Sequence, residues 1–363
     1  MDGGGADGAD ALRGRPEQHP ARPGSRRSRP LVRIGRAVFL LAALGLLARQ
    51  VAHDRDGVAH ALGQIGAGHA VLSLAAAVLG LGATGMAWRG LLAALGSRLP
   101  VGAVPPIFFV AQIGKYLPGA IWPYLAQVRL GRRYGVSASR SAAASVLFVL
   151  AHCASGGAVA AAVLPWVSPE VTRRFWWALV SAPLLLLLLH PRVLLPLLRR
   201  AHRLARRGVA PERLDGLRVA AALGWLLVAW ACYGASLLAL LAPVTTGRSV
   251  SDGALSLGGY ALAWTVGFAA AAVLVVAAPA GLGFREVVLI ALIAPVSSIG
   301  AATAVALLSR VVQTAGDALW ALAGILLAGR SGGSAGSGRS GDPAAVAAGE
   351  IGYPAVDTET TRR

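Results

Sequence analysis

This chain of 363 residues has very little lysine and few acidic residues. Lys115 is its only lysine, and 16 acidic residues stand against 34 basic ones, so the formal net charge of +18 comes almost wholly from arginine. Charged residues make up 14% of the chain, against about 25% in an average soluble domain. This composition argues against a soluble globular protein.

Cysteine and the familiar catalytic motifs are also scarce. The two cysteines, Cys153 and Cys232, fall inside apolar segments, so we interpret them as small apolar residues rather than as a disulfide or a metal-binding pair. No nucleophile–base pair, metal cluster or nucleotide-binding loop is visible. We therefore expect a protein that is not an enzyme, with no catalytic residue, metal or cofactor. Any transport would be passive or coupled to an ion or proton gradient.

Long apolar runs dominate what the chain does contain. Hydrophobic residues make up 56% of it, and the mean hydropathy is +0.63. A membrane-spanning helix needs about 20 mostly apolar residues. The segments that meet this requirement are 34–51, 69–95, 141–164, 175–198, 217–243, 254–278 and 299–328. We predict an all-α, polytopic integral membrane protein with about seven full spans.

Two further apolar segments, 105–128 and 279–298, are interrupted by proline and glycine. Each is either a bent full span or a pair of half-helices that enters and leaves on one side. Broken backbone at membrane depth is tolerated only where protein or a water-filled cavity satisfies its polar groups. Arginines lie on both flanks of 105–128, which favours entry from and return to the cytoplasm.

Two arginine clusters predict the orientation in the plasma membrane. Eight arginines lie between Arg13 and Arg36, and seven lie between Arg199 and Arg218. Short basic segments mark the cytoplasmic side, so we predict a cytoplasmic N-terminus and an external loop at 53–68. The clusters also suit anionic lipid headgroups. No interleaved aromatic residues or nucleic-acid motif accompany them, so we expect no nucleic-acid partner.

The two ends of the chain differ in composition from the membrane domain, 31–328. Residues 1–30 are rich in Gly, Pro, Asp and Arg, and residues 329–363 are rich in Gly, Ser and Ala. Neither segment can bury enough apolar surface to offset its ordering entropy, so we predict two disordered tails. The first span begins too far into the chain for a signal peptide and is predicted to be an uncleaved anchor.

The two broken segments suggest a weak internal repeat. Aligning Pro118 with Pro279 gives an offset of 161 residues, at which each copy has a Pro/Gly corner, a short helix and a span that begins with small residues. The identities are few and rich in alanine, so coincidence is the alternative. Paired broken segments in two halves of a membrane protein are typical of a transport site.

The span 299–328 carries polar residues at membrane depth. Arg310 lies eleven residues after Ile299, which is about 16 Å along a helix. Burying Arg or Asp there costs about 2.5–3.5 kcal/mol each, so both should be paired, and either Asp317 or Glu286 can neutralise Arg310. The alternatives are an ion pair that only holds helices together and a cavity in which Arg310 or Arg285 binds a phosphate. The polar residues that share one helical face are Arg310, Gln313, Thr314 and Asp317.

Further candidate residues lie at the two breaks. Gly281 and Gly283 either allow close packing or free backbone N–H groups at the start of a half-helix, which is a natural anion site. Lys115 and Arg129 flank the first broken segment and either guide headgroups or snorkel to the interface. Tyr116, with several tryptophans, is predicted to be an interfacial anchor.

Two motifs together resemble a known family. The first has Lys115-Tyr116-Leu117-Pro118-Gly119, then Gln127, Arg129 and Gly135-Val136-Ser137, and the second has Pro279-Ala280-Gly281-Leu282-Gly283-Phe284-Arg285-Glu286, then Leu307-Leu308-Ser309-Arg310. Over about residues 35–328 the chain resembles the lysylphosphatidylglycerol synthase transmembrane region. That family is the flippase-like membrane domain also found in the N-terminal part of multiple peptide resistance factors and in stand-alone relatives.

The resemblance implies a membrane domain that moves, or helps to move, a lipid or lipid-linked substrate between leaflets. We expect a flippase or transporter for an anionic or phosphate-bearing lipid, with an Arg/Asp/Glu-lined cavity. The alternative is a membrane-embedded partner or scaffold of a separate phospholipid-modifying synthase or glycosyltransferase. Synthase activity is not expected, because the family's soluble catalytic domain has no counterpart after Gly329. Many relatives have Gly-Glu where this chain has Trp122-Pro123, so its first copy offers no carboxylate.

Overall fold

The computed structural model describes residues 54–116, 121–167, 214–245, 250–273 and 283–333, together with isolated positions. All regular structure in these ranges is helical. The predicted spans 34–51 and 175–198 lie outside these ranges apart from isolated residues. Residues 1–30 of the predicted N-terminal tail and residues 334–363 of the predicted C-terminal tail lie outside them too. The last helix runs to Gly333, a few residues into the predicted C-terminal tail.

The described elements begin with one long helix and end with another. The helices are α1 Arg55–Ala94, α2 Trp122–Arg132, α3 Ala138–Val163, α4 Gly216–Leu241, α5 Val250–Val273, α6 Phe284–Ile293 and α7 Ile299–Gly333. Between α1 and α2, residues 101–116 follow a helical path made of short 3-10, π and α turns.

Four helices are long and apolar enough to cross a membrane. They are Arg55–Ala94, Ala138–Trp166, Gly216–Leu241 and Ile299–Gly329. They correspond to four of the predicted spans, and a fifth, 254–278, is described as far as Val273 in α5. The prediction of an all-α membrane protein is therefore confirmed. Cys153 in α3 and Cys232 in α4 are free thiols.

The predicted external loop at 53–68 is wrong, because helix α1 already begins at Arg55. Gly66 bends the helix, with φ 60° and ψ 167°, a conformation that glycine adopts without steric cost. The residues before this bend bury an apolar stripe against the start of α7, where Val58 and Ala61 pack with Ala301 and Ala304. The stripe is too short to be recognised as a span in the sequence.

The end of α1 and the starts of α3 and α4 meet at one face of the protein. Asp215 donates its backbone N–H to the carbonyl of Ala94 and caps α4 by accepting from the N–H groups of Leu217 and Arg218. Arg140, near the start of α3, lies 3.5 Å from the hydroxyl of Ser97. We call this the arginine-rich face, after Arg98, Arg132, Arg133, Arg140 and Arg218.

The opposite face, here the far face, holds the starts of α1 and α7. Gly300 at the start of α7 packs so closely on α1 that a Cβ there would lie 2.9 Å from the carbonyl carbon of Gly57. Further along, Trp320 donates to the carbonyl of Val78 at 2.9 Å. Helices α1 and α7 therefore run parallel, and α7 ends on the arginine-rich face.

The first broken segment is a hairpin of two half-helices, 101–116 and α2. The first half, 101–116, begins beside the arginine-rich face, and α2 ends beside it. Their tips pack so tightly that a Cβ at Gly114 would lie 2.9 Å from the backbone nitrogen of Pro123. The halves have 16 and 11 residues, fewer than the roughly 20 needed to span a bilayer. The segment thus returns to the face from which it starts, as one of the two predicted alternatives had it.

The second broken segment forms part of another hairpin, made of α5 and α6. Helix α5 begins at the far face, since Gly258 packs against Leu164 after the end of α3. Helix α6 runs back along α5: a Cβ at Gly259 would lie 3.4 Å from the Leu292 side chain, and one at Gly267 would lie 3.8 Å from the Arg285 Cβ. With only 10 residues, α6 is a half-helix whose base joins the start of α7.

The two hairpins support the predicted internal repeat. Helices α3 and α7 begin 161 residues apart, at Ala138 and Ile299, and α2 and α6 begin 162 apart, at Trp122 and Phe284. The predicted offset is 161. Because the hairpins enter from opposite faces, the repeat is inverted, which is the arrangement common in secondary transporters.

Replacing Gly114 by alanine should destabilise the first hairpin, because the added Cβ would meet the backbone of α2. Overpacking of this kind costs about 1–3 kcal/mol. Gly102 is a matched control in the same hairpin, since a Cβ there would meet no described atom within 4 Å. We expect the thermal unfolding midpoint in detergent to fall for Gly114→Ala and to stay unchanged for Gly102→Ala. Equal unfolding midpoints for the two variants would contradict the tight packing at the tip of the first hairpin.

Candidate functional site

The tips of both hairpins converge on the middle of α7 from opposite faces. The first hairpin brings Lys115 and Tyr116 to Asp317. The second brings Glu286, in the first turn of α6, to Arg310. Arg310 and Asp317 are seven residues apart on α7, which is about 10 Å along the helix axis. The tips of both hairpins therefore contact the same two turns of α7.

The first tip is held by a buried carboxylate. The Lys115 Nζ lies 2.6 Å from Asp317 Oδ2, and the Tyr116 hydroxyl donates to the same oxygen at 2.7 Å. The Tyr116 hydroxyl also lies 3.3 Å from the Thr314 Oγ1. Only 2% of the Asp317 side chain is exposed. Tyr116 is therefore not the predicted interfacial anchor, because its hydroxyl is needed by a carboxylate inside the protein.

The second tip is held by the other carboxylate. Arg310 donates to Glu286 Oε1 at 2.6 Å, so Glu286 and not Asp317 is the countercharge of Arg310. Glu286 Oε2 accepts from the backbone N–H of Gly283 at 2.9 Å and so caps its own half-helix. Gly283 has φ 96°, which explains why glycine stands there.

The predicted backbone anion site at Gly281 and Gly283 is in part occupied by the chain itself. The N–H of Gly283 is satisfied by the Glu286 carboxylate, which stands where an external anion was expected. Gly281 lies outside the described residues. The backbone N–H group at the start of α6 thus already binds a carboxylate from the first turn of the same helix.

Arg285 is the most deeply buried cation of the site, with 3% of the residue exposed. Its Nη2 donates to the Ser309 Oγ at 3.1 Å, and its guanidinium lies over the rings of Tyr260 and Trp264, 4.9 and 5.8 Å from their centroids. Its Nη1 is 3.6 Å from Glu286 Oε1, too far for a good hydrogen bond. Its Nε has no hydrogen-bond partner among the described residues.

The charges of the site do not cancel. Its three cations, Lys115, Arg285 and Arg310, face two carboxylates, Glu286 and Asp317, in the described part of the chain. The adjoining residues 117–120 and 268–282 contain no charged residue in the sequence. The cluster, which we call the central cluster, therefore carries one formal positive charge in excess.

A small, half-open cleft lies in the central cluster. All three cations line it, whereas neither carboxylate does. Gln313 accepts from the Tyr260 hydroxyl at 2.9 Å and also hydrogen-bonds Tyr233. The residues that line the cleft are Lys115, Tyr116, Trp264, Arg285, Arg310, Gln313 and Thr314. This lining suits an anion.

The structure brings most of the predicted site residues together. Among the described ones, Arg129 is the exception: it is exposed in the last turn of α2, near the arginine-rich face, and does not line the cleft. Tyr260, Trp264 and Ser309 were not predicted. Tyr260 and Trp264 could have been found in the sequence as two aromatic residues four apart on a span that leads into a broken segment. Nothing in the sequence distinguishes Ser309. The substrate-binding role of all these residues stays a prediction.

Comparison with known families gives one match. The family described as the lysylphosphatidylglycerol synthase TM region matches residues 33–321. This range includes both hairpins and every residue of the central cluster. No curated protein matches the chain.

Removing one member of an ion pair in the central cluster should cost more stability than removing both. Asp317→Asn leaves the partly buried Lys115 without its carboxylate, and for a fully buried pair such a change costs roughly 3–5 kcal/mol, which is the upper bound here. The double variant Lys115→Gln/Asp317→Asn removes both charges and should recover a large part of the loss. Chemical denaturation in detergent measures the coupling. Strictly additive effects would contradict the ion pair.

Proposed function

The chain belongs to the lysylphosphatidylglycerol synthase transmembrane region family, and from this we propose that it is a lipid flippase or transporter. The family name points to a membrane domain involved in lipid handling. In our proposal the substrate is an anionic or phosphate-bearing lipid, or a lipid-linked molecule, and it crosses between leaflets at the central cluster. The observation that carries the proposal is the cation-lined cleft at which the tips of the two hairpins meet from opposite faces.

The excess charge supports a phosphate-bearing substrate. Glu286 and Asp317 neutralise two of the three cations. Arg285 comes no closer than 3.6 Å to Glu286, the carboxylate that Arg310 already binds. Guanidinium groups bind phosphate through paired N–H donors and stay charged when water is removed. A phosphate in the cleft would balance the cluster and would satisfy the Arg285 Nε.

The opposed hairpins support access from both sides in turn. The first hairpin opens towards the arginine-rich face and the second towards the far face, and each tip is tied to α7 by one ion pair. A headgroup phosphate can replace Asp317 at Lys115, or Glu286 at Arg310, because it offers the same kind of oxygen acceptors. Each replacement frees one tip, so the substrate itself opens the gate through which it enters.

In this proposal the domain moves lipid without changing it chemically. A separate synthase or glycosyltransferase would make or use the lipid on one side of the membrane. The alternative role, a scaffold for such an enzyme, needs no charge at membrane depth, and the buried central cluster therefore favours transport.

The distribution of arginine supports an orientation in the plasma membrane. Cytoplasmic loops carry an excess of basic residues, and the arginine-rich face would thus be cytoplasmic. The first hairpin then enters from the cytoplasm, the second enters from outside, and α7 ends inside. A cytoplasmic N-terminus follows from the arginines between Arg13 and Arg36 in the sequence.

Arg285→Gln should slow leaflet exchange of a fluorescent anionic phospholipid in proteoliposomes by about tenfold or more. A hydrogen bond to a charged group contributes about 1.5–3 kcal/mol, and 1.4 kcal/mol corresponds to a factor of ten. Arg132→Gln removes the same charge from an exposed position and is the control.

The comparison of these two variants separates transport from a scaffold role. Exchange that is faster than in empty liposomes and slowed only by Arg285→Gln supports the proposal. Equal exchange in wild type, Arg285→Gln and empty liposomes would reject transport and favour the scaffold.

Cysteine labelling tests the orientation. In a variant with Cys153 and Cys232 replaced by alanine, Val101→Cys marks the arginine-rich face and Val296→Cys marks the far face. A membrane-impermeant maleimide should label Val296→Cys in intact cells and Val101→Cys only after permeabilisation. The reverse pattern would overturn the orientation and leave the fold unaffected.

A further inference from the structure

The central cluster carries its excess positive charge even when no lipid headgroup is bound. Its excess positive charge lies near the middle of α7, at membrane depth, where an uncompensated charge is costly. The two carboxylates add no further negative charge. Glu286 binds Arg310 and the Gly283 N–H, and Asp317 binds Lys115 and Tyr116 through Oδ2, while its buried Oδ1 has no hydrogen-bond partner among the described residues. An anion in the cleft would balance the excess charge.

The size of the cleft limits which anion can enter in this conformation. Its interior has room for roughly one water-sized particle. A phosphodiester with its glycerol and acyl chains requires the half-helix tips to move apart. A monatomic anion is much closer to this size.

One donor of the cleft lining has no partner in the described part of the chain. The single Tyr116 hydroxyl hydrogen goes to Asp317, so Thr314 donates its own hydroxyl hydrogen to the Tyr116 oxygen. Gln313 hydrogen-bonds both Tyr260 and Tyr233. Arg285 contributes an Nε–H that no described residue accepts.

We propose that the cleft binds one small monovalent inorganic anion, with chloride as the abundant example, whenever the site is free of lipid. The anion neutralises the central cluster and keeps both half-helix tips docked on α7. That a lipid phosphate then displaces it rests on the proposed function, whereas the binding of chloride does not.

Anion-dependent stability of the full-length protein in detergent tests this site. The unfolding midpoint is measured in increasing sodium chloride, with sodium gluconate added to hold the ionic strength constant. Gluconate is chosen as the balancing anion because it is too large for the cleft. A ligand that binds only the folded state raises the midpoint saturably. We expect such a rise for wild type and for the exposed-charge control Arg132→Gln, and no rise for Arg285→Gln.

Direct binding keeps the test decisive if Arg285→Gln does not fold. Radiolabelled chloride should bind wild type at one equivalent per chain and be displaced by bromide but not by gluconate. A midpoint that is the same in chloride and gluconate, together with no displaceable chloride, would overturn the inference. So would a chloride-dependent rise of equal size in wild type and folded Arg285→Gln.

The outcomes for chloride and for lipid are distinguishable. Chloride binding without leaflet exchange would support the anion site and reject the proposed transport. Leaflet exchange without chloride binding would do the opposite. If both occur, chloride should slow exchange of an anionic phospholipid relative to gluconate in wild type, because the two ligands need the same cations.

Discussion

The pairing of charge at membrane depth is the constraint on which this structure depends. Neither a carboxylate nor a guanidinium is stable alone in the bilayer, and the half-helices are too short to span it by themselves. Lys115 with Asp317, and Arg310 with Glu286, meet both needs, because each pair neutralises two charges and fastens one tip to α7. The long helix α7 thus serves as the common support on which two incomplete spans are completed.

The polarity of the cleft follows from this pairing, and the access from two sides that we propose depends on it. Two pairs leave one guanidinium over, and Arg285 is held by Tyr260, Trp264 and Ser309 rather than by a carboxylate of its own. In the proposed function the hairpins come from opposite faces, so loosening one ion pair would open the cleft to one side while the other pair stays closed. An anionic ligand is the natural agent for such a change, because it competes with the carboxylates for the same cations.

The sequence predicts the features that depend on local periodicity and composition. Apolar length identifies the spans, and the helical period alone assigns Arg310 and Asp317 to one face of α7. The repeat offset of 161 also anticipates where α7 begins. What depends on the approach of distant segments is not predicted: that Glu286 rather than Asp317 neutralises Arg310, and that Tyr116 reaches the membrane interior. These contacts arise only when a half-helix folds back, and no local pattern encodes their distance.

Leaflet exchange with the first tip fastened covalently to α7 probes this mechanism most directly. Tyr116→Cys and Thr314→Cys, in a protein otherwise free of cysteine, bring two thiols to positions whose native hydroxyls are 3.3 Å apart. We expect exchange of an anionic phospholipid in proteoliposomes to stop when a short bis-methanethiosulfonate reagent joins them through two disulfides, and to return when a reductant cuts the link. Exchange that continues at an unchanged rate in the cross-linked protein would contradict transport through the central cluster.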